Sequence, residues 1–199
     1  MMARRTDIVL SQDMICVAAL EIIGESGLDR LTMRSLARKL EIQAASLYAH
    51  YRDKSELMSD LAARYFLEAC DAVYDWSSPG DWLMKFGSAL YSVLRERRDA
   101  ARLFAQSQPP VHSHEVTAEN ASSALTASGW SVNRAVEMQA AVIALAIGMA
   151  LDHSHEGTSA YLERFFDLDE AFQTALSALV SGLLDKPVTA MDTPEAKTP

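Results

Sequence analysis

Cysteine is scarce in this chain. Cys16 and Cys70 are the two thiols among 199 residues, far apart and without a Cys-x-x-Cys spacing. That pattern argues against a disulfide framework or a thiolate metal site, and the apolar neighbours of each predict a buried free thiol. Long hydrophobic runs are missing as well. The nearest candidate, 140–151, is too short to cross a bilayer. Arg4 and Arg5 are followed by Asp7 and the polar Ser11, Gln12 and Asp13, where a signal peptide needs an apolar stretch. A cytoplasmic protein with no membrane association is expected. Strand-like alternation is absent too, since valine and isoleucine fall inside patterns of helical period. There is no glycine-rich phosphate loop, nucleophile elbow or His-Glu-x-x-His helix. The one opening for an enzyme is a metal-dependent hydrolase built on His112, His114, His153 and His155 beside Asp152 and Glu156. Such pairs in polar loops are ordinarily solvated, so no catalytic residue, cofactor or metal site is expected.

Positive charge is short overall: the net charge is −9. The deficit is unevenly spread. Residues 1–54 carry a net +1 and residues 55–199 a net −10. An acidic body weakens non-specific attraction to nucleic acid, which is mostly phosphate electrostatics, while leaving the first segment free to approach it.

What the chain does have is helical pattern nearly throughout. Ser11 caps a first helix with Ile15, Ala19, Ile22 and Ile23 on its apolar face, and Gly27 stops it. Thr32 caps a second over 33–40, and a third follows over 44–50. Asp53 and Glu56 form a capping pattern for a long fourth helix over 54–74. Ser77, Ser78, Pro79 and Gly80 make a turn before a helix over 81–97, and a short helix spans 99–106. Pro109 and Pro110 place a loop at 107–114. Helices are expected over 116–128, from Ser131 to about Leu151, and over 169–184, with a polar loop at 152–158 between the last two. The tail, 186–199, has three prolines and few large apolar groups and is expected to be disordered.

The most telling stretch is 31–54. Two short helices joined by a tight turn, with Leu36, Leu40, Ile42 and Leu47 as their contacts and Ala37 small where they cross, have the layout of a helix-turn-helix. The second helix then presents Ala44, Ala45, Ser46, Tyr48, Ala49 and His50 outward. The alanines suit thymine methyl groups, Ser46 a base or phosphate, and Tyr48, His50 and Lys54 phosphates. Arg34 reaches a guanine edge, and Thr32 combines capping with a phosphate contact.

Leu31-Thr-x-Arg-x-Leu-Ala-x-x-Leu, then Ser46-Leu-Tyr-x-His50, then Lys54-x-x-Leu57 resembles the tetracycline-repressor (TetR) family. Trp82, Arg98-Asp99, Pro109, Gly129-Trp-Ser131 and Gly148 extend the resemblance over roughly residues 8–152. It implies an all-α homodimer: an N-terminal three-helix helix-turn-helix DNA-binding domain, 1–54, and a larger helical ligand-binding and dimerisation domain, 55–185. It also implies DNA contacts from Thr32, Arg34, Ala44, Ala45, Ser46, Tyr48, His50 and Lys54. Two departures matter. Glu41 replaces the glycine usual in the turn. Cys70, Ala89 and Phe104 replace the polar groups that hold a magnesium–drug chelate in the repressor that names the family, with Asp152 near an acidic position there.

A mainly apolar, aromatic pocket is expected instead. Tyr65, Phe66, Cys70, Tyr74 and Phe86 are candidate lining residues, with Ala89, Val93, Phe104 and Met138, and Gln139 as the polar anchor. Dimerisation is expected through the helix Val132–Leu151, with its many small residues, and the helix from Asp169 to Leu184, to which Phe172, Ala175, Leu176, Leu179 and Leu183 contribute. The expected function is a transcriptional repressor, released from a palindromic operator by a small lipophilic or aromatic molecule. A regulator without such an effector, or an activator, remains an open alternative at this point.

Overall fold

The structure is a computed structural model, described here for residues 10–107, 123–154 and 160–185. The first helix, α1 (Gln12–Ser26), starts where Ser11 Oγ accepts the Met14 N–H at 3.2 Å. It ends at Gly27, whose φ of 88° lets its own N–H turn back to the Ile23 carbonyl at 2.8 Å. A single 3-10 turn, Leu28–Arg30, leads to α2 (Met33–Lys39). Thr32 and Ser35 cap α2 reciprocally, Thr32 Oγ1 taking the Ser35 N–H at 3.0 Å and Ser35 Oγ taking the Thr32 N–H at 2.9 Å.

The third helix, α3 (Ala44–Tyr48), is two residues shorter than the expected 44–50. Its end tightens because the His50 and Tyr51 N–H groups both return to the Leu47 carbonyl at 3.0 Å. Between α2 and α3, Glu41 has a φ of 55°. That left-handed geometry costs a residue with a Cβ roughly 1 kcal/mol. Glu41→Gly is therefore expected to stabilise the helix pair by at most about 1 kcal/mol, Glu41 having an interaction that offsets part of the cost. A rise in melting temperature checks this, and a fall would refute it.

The linking helix α4 (Lys54–Asp71) is capped by Asp53, whose Oδ1 accepts the Glu56 N–H at 2.9 Å. It stops short of the expected Tyr74. The Val73 N–H tightens onto the Cys70 carbonyl at 3.0 Å, and Lys85 Nζ draws in the Asp75 carbonyl at 2.6 Å. Ser78 caps α5 (Pro79–Glu96), with the proline in the first turn. The short α6 (Ala100–Gln106) begins at Asp99, a second left-handed residue with φ 58°. Next come α7 (Ser123–Thr126), α8 (Val132–Ser154) and α9 (Leu168–Leu184), the last capped by Asp167. The expected polar loop at 152–158 begins too early, since α8 runs on through Ser154. Extending a formed helix costs little, and 152–154 contain no glycine or proline to stop it. The expectations for 108–122, 155–159 and 186–199, with His112, His114, His155 and Glu156 among them, fall outside the described residues.

The body is organised around α5, which packs on α4 and α8, while α9 closes on both α5 and α8. Phe86, fully buried, stacks on Trp82 at 4.9 Å and meets Phe66 edge-on at 5.5 Å. A Cβ at Gly87 would stand 2.8 Å from side-chain carbons of both Leu176 and Val142, so glycine is what lets α5, α8 and α9 converge. On α9, Phe172, Leu176 and Leu183 are buried within the subunit, with Phe172 stacked on Tyr91 at 3.9 Å. These three do not face outward as the sequence suggested, because α9 turns its large apolar side chains toward α5 and α8 and its polar and small ones to solvent.

A 20-residue stretch of α8, Val132–Leu151, is long and apolar enough to cross a membrane by length and composition. Counting uninterrupted apolar residues missed it, since Asn133, Arg134, Glu137 and Gln139 interrupt the run. One side of it, Ala135, Met138, Val142, Ala146 and Ala150, is buried in the subunit core.

Candidate nucleic-acid interface

The α2–α3 pair is held by a narrow apolar seam. Leu36 and Leu47 are fully buried, Ala37 nearly so, and Leu40 and Ile42 lie against them. The Ile42 N–H reaches the Ala37 carbonyl at 3.0 Å and so sets the turn. Lys39 ties the pair to α1 by ion pairs to Glu21 at 3.0 Å and Glu25 at 3.2 Å.

Six of the candidate DNA-contacting residues, Thr32, Arg34, Ala45, Ser46, Tyr48 and Ala49, are exposed on this unit, while Ala44, His50 and Lys54 are half-buried. They are not equivalent. The Thr32 hydroxyl is engaged by Ser35, donating to its Oγ at 3.0 Å while accepting its N–H. By contrast, the Arg34, Ser46, Tyr48 and His50 side chains make no hydrogen bond or ion pair to the described residues. Donors left unpaired at a surface are available to an external acceptor.

One residue escaped the sequence reading. Gln43 is exposed and occupies the N-cap of α3, yet its side chain makes no capping bond. An amide so placed offers the donor–acceptor pair that matches adenine N7 and N6. The signal was present: a glutamine directly before an alanine-rich helix.

Farther along the chain, the candidate lining residues separate. Tyr65, Phe66, Phe86, Met138 and Gln139 are buried, and Gln139 is engaged by a neighbour. Cys70, Ala89, Val93 and Phe104 are half-buried. Tyr74 does not join them. It lies beyond the end of α4, is 92% exposed and, with Asp75, Met84 and Lys85, lines an open surface groove of about 440 Å³. Once α4 stops at Asp71, the helical period no longer carries residue 74 inward. Burial pushes the Cys16 and Cys70 thiols each up to about 12, so neither is a thiolate at neutral pH. Among the described residues no group of His, Cys, Asp and Glu is placed to hold a metal ion.

A second connection joins the first helices to the body. The turn before α6 and the start of α6 itself grip α1 and the 3-10 turn with three side chains. Arg98 donates to the Glu25 carbonyl at 3.1 Å, and Asp99 Oδ2 accepts the Leu28 N–H at 2.8 Å. Arg102 forms a bidentate pair with Asp29 at 3.0 and 2.6 Å. In the same turn Arg97 pairs with Glu68 on α4 at 2.6 Å and lies over the Tyr65 ring at 5.2 Å.

Comparison with known proteins agrees with this geometry. Residues 15–61 match the profile of the family described as bacterial regulatory proteins, tetR family. Over 181 residues the chain is 30% identical to the tetracycline repressor protein class A from transposon 1721 of Escherichia coli, spanning 88% of this chain and 80% of that one. Its fold is similar to that of a TetR variant from Acinetobacter baumannii AYE in complex with minocycline. That match has a TM-score of 0.71 and 29% identity, and covers 88% of this chain and 97% of the other. BioQ with its double-stranded DNA operator gives a TM-score of 0.61 at 27% identity, over 87% of this chain and 98% of the other.

Proposed function

Because the chain belongs to the tetR family of bacterial regulatory proteins, we propose that α3 is the recognition helix of a ligand-responsive repressor. The protein is a DNA-binding transcriptional regulator of all-helical fold. The observation that carries the reading of the site is the exposed α2–α3 surface whose Arg34, Ser46, Tyr48 and His50 side chains have no partner among the described residues. In this reading residues 1–54 form the reading head, 55–185 the effector and dimer body, and the protein works on operator DNA in the bacterial cytoplasm. Arg34 reads guanine, Gln43 adenine, and Ala44, Ala45 and Ala49 thymine methyls, while Thr32, Ser46, Tyr48, His50 and Lys54 hold phosphates.

Pairing of two copies through α8 and α9 presents two such heads to one face of DNA. The support is the character of their outward faces. Ala140, Ala144 and Gly148 are exposed at four-residue spacing on α8, and Thr174, Ala178 and Gly182 on α9. Within the subunit, nothing lies within 4 Å of a Cβ built at Gly148 or Gly182, so intrachain packing does not demand glycine at either. Small residues along a helix face allow close approach of another helix.

The effector is a lipophilic or aromatic molecule. Ala89 and Phe104 offer no side-chain donor to a metal chelate, and Cys70 keeps its proton near neutrality, so a magnesium–tetracycline complex does not fit. It acts by binding more tightly to a body whose heads are wrongly spaced for the operator. Two routes carry that change, α4 and the clamp of the α6 turn. Arg102→Ala is expected to speed hydrogen exchange of the Leu28 and Arg30 amides while α5 amides stay protected, and unchanged exchange would remove the clamp from the mechanism. Acid has the same direction of effect. The Arg102 guanidinium holds the Asp29 carboxyl below the usual carboxylate range. The Arg102–Asp29 pair of the clamp is thus complete above that range and lost as pH falls through the lowered value.

Gel mobility on DNA flanking the gene tests the function. Selective, salt-dependent retardation of one upstream segment is the expected result. Binding to no segment over competitor DNA would sink the repressor reading.

A further inference from the structure

Tyr51 follows the recognition helix but turns away from solvent and is 2% exposed. Its hydroxyl donates to Oδ2 of Asp60, on α4, and lies 3.2 Å from Sγ of Cys16, on α1. The same Asp60 oxygen accepts from Cys16 Sγ at 3.2 Å. One carboxylate oxygen therefore gathers a hydroxyl from the end of α3 and a thiol from α1 onto α4. Burial raises both the thiol and the phenol above their ordinary values, so both remain protonated and able to donate. The other Asp60 oxygen faces Arg64 Nε at 3.9 Å, and Arg64 Nη2 donates to Asp13 Oδ1 at 2.6 Å, a second tie between α4 and α1.

The need for such a knot follows from the size of α3. It has five residues and one buried side chain, Leu47. An apolar contact is non-directional and leaves rotation of so short a helix loosely set. Hydrogen bonds are directional, and base reading requires side chains held to about 0.5 Å.

We infer that Tyr51, acting through Asp60, is a positioning residue for operator recognition that sets where α3 stands against α1 and α4. The inference rests on α3 being the recognition helix. The knot does not touch DNA. It joins groups separated by 9, 35 and 44 residues in the chain, so it forms only when the head is assembled.

The test compares full-length protein with Tyr51→Phe, Asp60→Asn and Asp60→Leu. Each is titrated against the duplex that the unaltered protein selects from random-sequence DNA and against a scrambled duplex of equal length. Tyr51→Phe keeps the ring and loses the bond. It should weaken binding to the selected duplex about tenfold, the size expected for one hydrogen bond to a charged group. Binding to the scrambled duplex should stay within about twofold, since phosphate contacts tolerate misplacement. Asp60→Asn keeps an acceptor oxygen and should recover most of the selectivity, whereas Asp60→Leu should not. Selectivity retained in Tyr51→Phe would overturn the inference. So would equal losses on both duplexes with a matching fall in melting temperature, or Asp60→Asn behaving like Asp60→Leu. Failure of the unaltered protein to select any duplex would overturn the recognition-helix reading instead.

Discussion

Replacing Ala144 by arginine is expected to make the protein monomeric and to weaken operator binding by at least about 100-fold, the scale on which linking two binding heads raises affinity. Ala144 is exposed at the middle of the small-residue face of α8, between Ala140 and Gly148. A helix packed against that face approaches to about 8 Å when the contacts are this small. An arginine there forces the helices apart and brings an unpaired charge into the new interface, a combination costing several kcal/mol. The side chain points out of the subunit, so the monomer keeps its fold. Sedimentation velocity at micromolar concentration and titration with operator DNA measure the two effects. A dimer that persists with unaltered affinity would show that pairing uses another surface.

The second large effect is expected from Leu47→Ala. Leu47 is the one buried residue of α3 and is fully enclosed by its neighbours. Truncating such a leucine costs roughly 2–5 kcal/mol. A helix of five residues has no independent stability in water, so the loss falls on the recognition unit itself. Operator binding should disappear and hydrogen exchange across residues 44–50 should approach that of an unfolded segment, while α5 keeps its protection. Operator affinity near that of the unaltered protein would contradict the seating of α3 described above.

The two substitutions differ in how far the sequence foretold them. Leu47 was legible because its partners, Leu36, Leu40 and Ile42, are near in the chain and spaced at helical period. Ala144 was legible only as one of many small residues on an apolar helix. Its exposure became clear once Ala135, Met138, Val142, Ala146 and Ala150 were seen to take the inner face. Phe172 shows the opposite error. Amphipathic spacing identified its helix face correctly, but whether that face meets Tyr91 in the same subunit or a second copy is not written in the spacing.

The sequence by itself determined the caps and the seam. Ser11, Thr32 and Asp53 each bond to a backbone N–H three residues ahead, so the information needed lies within one turn. The family resemblance also marked Glu41 as standing where glycine is usual, and the structure then showed the left-handed backbone that favours glycine there. Only the tertiary structure decided the rest. It stopped α4 at Asp71 and left Tyr74 outside. It brought Arg102 to Asp29 across 73 positions, and Tyr51 and Cys16 to one oxygen of Asp60. Those contacts join groups from different helices. Their partners are chosen by how the helices pack, and packing depends on the summed burial of the whole core rather than on any local pattern.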